Sequence, residues 1–237
     1  MMKFLNTKAK AFVVFIFLII YLGIFIFSSL FATMICQDMY VILIGIGMMI
    51  LAIPFHCKGR AKRCKEKNKL WCYFVSIILN SVATGFIVSA YYITSKIAID
   101  IFSLFIGAIP AVAIIFLVYL MLQTFNKTKK VTIIVASIIN LALTIFATVL
   151  WIMDGDVIYS FGFFCSLISF FYLCVFGITI NYDDRSVFRD ISFGSFGSFI
   201  IIAVVVITII SEGEALDGLD VGGGIGEKKT KKPKHKA

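Results

Sequence analysis

The chain has 237 residues, 61% of them hydrophobic, and a formal net charge of +9. Its mean hydropathy of +1.03 exceeds that of a soluble domain, where about half the residues are apolar, and the excess lies in unbroken runs of the membrane kind. The basic residues sit in short segments between these runs, not as a stripe on a soluble domain, which excludes a nucleic-acid-binding face.

Residues 1–10 carry three lysines and read as a cytoplasmic N-terminal segment. Ala11–Phe31 then predicts a first span, about 31 Å of helix at 1.5 Å per residue. A signal peptide would have a shorter apolar core, roughly 7–15 residues, ending at an A-x-A-like site. The run is longer and no such site follows, so the segment is expected to remain as a span. A turn around Cys36–Asp38 leads to span two, Met39–Phe55. The stretch His56–Cys72 follows, holding seven of the 22 Lys and Arg residues.

Span three, Leu70–Ile93, has Trp71 and Tyr73 at one end and Tyr91 and Tyr92 at the other, as interfacial aromatic belts do. Span four, Ile97–Leu122, contains Pro110, which removes one helical hydrogen bond. After a lysine-bearing loop at 123–130 comes span five, Val131–Met153. The turn Asp154-Gly155-Asp156 leads to span six, Val157–Ile180, and loop 181–190 to span seven, Ile191–Ser211. Residues 212–237 are Gly-rich and then Lys-rich, and read as a disordered tail. The fold class is therefore all-α, a polytopic transmembrane bundle over 11–211 with seven predicted spans. Six spans plus a re-entrant segment, with the tail inside, is the alternative.

Lys and Arg hold short loops in the cytoplasm. With the N-terminus inside, fifteen of them fall on inner segments, and Lys96 alone on the outer turns. The first tail lysine, Lys228, lies far beyond span seven, at the limit of that rule's reach.

Two polar stripes stand out. Ser76, Asn80 and Thr84 recur every fourth residue in span three; Ser137, Asn140, Thr144 and Thr148 do nearly the same in span five. Each set shares one helical face. Both asparagines lie about 14 Å into their spans, and the pattern Asn-x3-Thr-x-Phe occurs at both. A functional reading makes Asn80, Thr84, Asn140, Thr144 and Thr148 a substrate pathway between the two halves of an internal repeat. The competing reading is interhelical hydrogen bonding. Asp100, near the outer end of span four, is expected to reach headgroups or water rather than serve ion coupling. Gly107 and Ala111, and the run Ser192–Ser198, carry small residues at close-packing spacing.

His56, Cys57, Cys64 and Cys72 supply the ligand types of a zinc site, but not the usual Cys-x2–4-Cys spacing, and lysines surround them. Interfacial cysteines open to reversible acylation are the plainer reading. Asn126-Lys127-Thr128 matches a glycosylation acceptor on a loop expected inside, where it would not be used. No metalloprotease, nucleophile-elbow or phosphate-loop motif occurs.

The expectation is a multi-pass membrane protein with no catalytic site, metal or cofactor, in the plasma membrane with its N-terminus cytoplasmic. It would act as a scaffold or accessory subunit, touching anionic headgroups at its inner loops and a membrane protein partner or a second copy of itself. A small permease or channel-like subunit is the alternative.

Overall fold

Apolar runs of this length can satisfy their own backbone hydrogen bonds in lipid only by coiling into helices. The computed structural model describes residues 7–36, 40–61, 66–124, 129–181 and 187–221. Among these residues the fold is all-α: α1 (Thr7–Ile35), α2 (Tyr40–Arg60), α3 (Glu66–Thr94), α4 (Ile101–Thr124), α5 (Lys129–Asp154), α6 (Val157–Asn181) and α7 (Val187–Val221). Each holds a segment long and apolar enough to cross a membrane. The seven-span reading therefore holds over six spans and a re-entrant piece.

The centre is formed by α1, α3, α6 and α7. Helix α1 packs against α3, α4, α6 and α7, while α3 also meets α2 and α7, and α6 also meets α4, α5 and α7. In α3, 72% of the span is buried, against 11% in α5, which lies at the periphery against α4 and α6. Leu18, Tyr21 and Phe25 of α1 meet Phe161, Phe164 and Tyr172 of α6 in the core. The Phe25 and Phe161 rings stack at 4.9 Å. Small residues set the close approaches, as expected for Gly107: a Cβ there would lie 2.8 Å from the Ile158 carbonyl oxygen of α6.

Several helix ends differ from those expected. Helix α2 continues through Pro54 to Arg60, so His56, Cys57 and Lys58 are helical rather than loop residues. Helix α4 begins at Ile101 rather than Ile97, because Asp100 caps it: Asp100 Oδ1 accepts the Ser103 amide at 2.9 Å. Before it, α3 closes with Lys96 at φ 53°. The Lys96 and Ile97 amides donate back to the carbonyls of Ile93 and Tyr92, the Schellman pattern. Helix α1 starts at Thr7, inside the stretch read as a cytoplasmic N-terminal segment, and α7 runs ten residues past Ser211 to Val221. Extending an existing helix through Glu, Ala and Leu costs far less than nucleating one. The rest of the expected tail, Cys64 and the Asn126–Thr128 acceptor lie outside the described residues.

Candidate functional site

The two polar stripes meet different partners. On α3, Ser76, Asn80 and Thr84 are fully buried against α7 and α1. Ser192 Oγ donates to Ser76 Oγ at 3.1 Å, and Asn80 Nδ2 donates to Ser195 Oγ at 3.1 Å. Tyr21 OH of α1 sits 2.7 Å from Thr84 Oγ1 and 3.2 Å from Ser198 Oγ. Residue numbers rise together along both helices, so α3 and α7 run parallel. A four-residue row on one faces a three-residue row on the other, the pairing that joins helices at a shallow crossing of about 20°.

On α5, Asn140 Nδ2 donates to the Ser166 carbonyl at 3.0 Å, and Ser169 Oγ donates to Asn140 Oδ1. Thr144 Oγ1 donates to Ser166 Oγ at 2.9 Å. Thr148 and Ser137 bond to carbonyls of their own helix. Asn80 and Thr84 thus belong to an α1–α3–α7 cluster, and Asn140 and Thr144 to an α5–α6 cluster. Among the described residues α3 and α5 do not pack side by side; they touch near one end, where Trp151 Nε1 donates to Tyr91 OH at 2.9 Å.

Sequence reasoning missed the partners Tyr21, Ser166 and Ser169, and read Ser195 and Ser198 only as small residues for close packing. The Ser192-x2-Ser195-x2-Ser198 row was the available signal: its serines face α3 while Gly194 and Gly197 face α6. His56, weighed in the sequence only as a zinc-ligand type, instead joins this row: its Nδ1 lies 2.8 Å from Ser192 Oγ, between the rings of Tyr73 and Phe196. A seam of polar contacts therefore joins α2, α7, α3 and α1. Two fully buried atoms beside it, Asn80 Oδ1 and Tyr172 OH, have no hydrogen-bond partner among the described residues. The Tyr21 and Tyr172 rings are 5.8 Å apart.

Asp100 is exposed, as expected of an interfacial carboxylate. Hydrogen bonds from the Ser103 hydroxyl and then the Ser103 amide hold its pKa below the usual carboxylate value. Cys57 is exposed and Cys72 buried. Among the described residues no three His, Cys, Asp or Glu side chains gather as metal ligands would. Neither of two surface cavities, one between α2, α6 and α7 and one beside Phe31 and Asp100, is lined by Asn80, Thr84, Asn140, Thr144 or Thr148. No family model, no curated protein and no solved structure matches this chain.

Proposed function

We propose that this chain is a multi-pass plasma membrane protein without a catalytic site, N-terminus inward, serving as a scaffold or accessory subunit of a membrane assembly. The observation that carries this reading is how the intramembrane polar groups are used. Asn80 bonds Ser195, and Asn140 bonds Ser166 and Ser169, each on an adjacent packed helix. Contacts of that kind hold helices together. A solute route needs the same groups turned toward water. Neighbouring membrane proteins, or a second copy, would pack on the apolar outer faces, and anionic headgroups would gather at the basic end.

The permease reading keeps one observation in its favour: the buried Asn80 Oδ1 and Tyr172 OH have no described partner, and such groups ordinarily find one, often water. Cysteines placed at Thr84 and Thr144 in a cysteine-free chain separate the readings. A small water-soluble thiol reagent leaves both unmodified in native membranes if the contacts are dry. Modification at either position, absent at the outward-facing Ile138, would favour the permease.

A further inference from the structure

Arg60 ends α2 and Arg189 lies in the first turn of α7, and both border one cavity of about 430 Å³ between α2, α6 and α7. His56, one turn before Arg60, walls it on the α2 side. The cavity continues along α7 past Gly194 to Gly197, eight residues or about 12 Å below Arg189. On α6 its opposite wall runs from Ile178 through Val175 to Phe171, about 10 Å in the same direction. The mouth is thus cationic and the stem apolar. Asp190 holds Arg189 at 3.2 Å and offsets one charge, so the lining carries two guanidiniums against one carboxylate. The glycines let α6 lie close: a Cβ at Gly194 or Gly197 would meet Val175 Cγ2 at 2.5 Å or Phe171 Cε1 at 2.6 Å. Phe193, 66% exposed, flanks the opening.

We propose that this groove binds one anionic phospholipid, its phosphate between Arg60 and Arg189 and an acyl chain along Val175, Phe171 and the glycines. The proposal rests on the reading that the helices span a membrane, which sets the ends of α2 and α7 at headgroup depth. Guanidinium groups pair with phosphate oxygens through two parallel hydrogen bonds. A free phosphate would satisfy the arginines but leave the apolar stem unused; a zwitterionic lipid would fill the stem while bringing its own cation to the rim.

Native mass spectrometry of the delipidated full chain in detergent tests this, with dioleoylphosphatidylglycerol and dioleoylphosphatidylcholine added in turn. One phosphatidylglycerol is expected per chain, at about fivefold the affinity of phosphatidylcholine. Arg60→Gln with Arg189→Gln should bring the two lipids to parity. Arg60→Gln alone, a change at an exposed helix end, should keep the fold and lower the preference at least about twofold. Lys8→Gln with Lys130→Gln, which removes as much charge away from the groove, should leave the preference intact. Equal binding of both lipids to the unsubstituted chain, a preference that survives the arginine changes, or its loss in the lysine control would overturn the proposal. Inorganic phosphate that binds equally well and displaces the lipid would overturn it in favour of a free-anion site. Binding in detergent does not depend on orientation or on a partner, so this result stands apart from the thiol-access test.

Discussion

The Asn80 side-chain amide of α3 donates to Ser195 Oγ of α7 across 3.1 Å, and both residues are fully buried. This contact sits midway along a seam that begins at His56 and ends at Tyr21. Because Asn80 is enclosed by protein and not by lipid, a larger apolar residue gains nothing from the bilayer there. Asn80→Leu should destabilise the fold by about 1–3 kcal/mol through overpacking and lost bonding. A double-mutant cycle of Asn80→Ala and Ser195→Ala should give a coupling of about 0.6 kcal/mol. Unfolding in mixed micelles reads both; additive single changes would remove the contact from the account of stability.

Gly85 marks the crossing of α1 and α3. A Cβ there would collide with Ser28 Oγ and lie 2.9 Å from the Phe25 carbonyl oxygen. The hydroxyl can rotate but the carbonyl belongs to a helix backbone and cannot yield without moving α1. Gly85→Ala should therefore cost about 1–3 kcal/mol. Gly47→Ala, where nothing lies within 4 Å of the added carbon, should change stability by no more than about 1 kcal/mol, and favourably. Thermal unfolding of the two variants side by side checks the contrast; equal midpoints would refute it.

The spans were legible because bilayer thickness demands long apolar runs, and those runs are uninterrupted. The polar faces of α3 and α5 were legible because the helical period fixes which residues share a side. Which helix each face meets was not, because periodicity carries no information about neighbours. The echo at Asn80–Phe86 and Asn140–Phe146 links two stripes that folding sends to α7 and to α6. The end of α2 was hidden for a different reason: a basic run suits a cytoplasmic loop and the last turns of a helix equally, since cations favour the helix C-terminus. Arg60 and Arg189, far apart in sequence, meet around a cavity only once α2 and α7 are packed.

Lys96 occupies the left-handed position that ends α3, at φ 53°, with its side chain exposed. Glycine adopts that conformation without the Cβ penalty. Lys96→Gly should stabilise the chain by up to about 1 kcal/mol, measured as a raised unfolding midpoint. A lowered midpoint would mean that the lysine side chain makes a contribution larger than the backbone strain.

Asp100 caps α4, and its folded-state pKa lies below the usual value because of Ser103. A depressed carboxylate contributes stability above its unfolded pKa of about 3.9 and loses it as pH falls through the lower folded value. Protection of the Ser103 and Leu104 amides, expressed relative to intrinsic exchange, should accordingly hold above that range and fall in acid. Asp100→Asn, an equally good cap without a titrating group, should keep protection across the whole range. Asp100→Ala should lose it at every pH. Acid loss that persists in the Asn variant would place its cause elsewhere.

The ends of α1, α2, α3, α4 and α7 are tied together at one face of the bundle. Gln123 Nε2 donates to the Lys8 carbonyl at 2.8 Å, and His56 and Tyr73 meet beside Ser192. Lys8, Lys58, Arg60, Lys69, Lys130 and Arg189 belong to helix ends at that face, whereas Asp100, Asp154 and Asp156 lie at helix ends opposite. Basic residues near span ends resist translocation and acidic ones matter little, so the basic face is expected in the cytoplasm. An impermeant maleimide should label Asp154→Cys in a cysteine-free chain on intact cells, and Lys130→Cys only after permeabilisation. Replacing Lys58, Arg60, Lys62, Arg63 and Lys65 with Gln should then yield both orientations, with partial labelling at each reporter, because that stretch supplies the largest share of the inner charge. Labelling of Lys130→Cys in intact cells carrying the unaltered basic stretch would invert the topology. Unchanged labelling in the Gln variant would instead assign orientation to the lysines of α1 and the remaining loops.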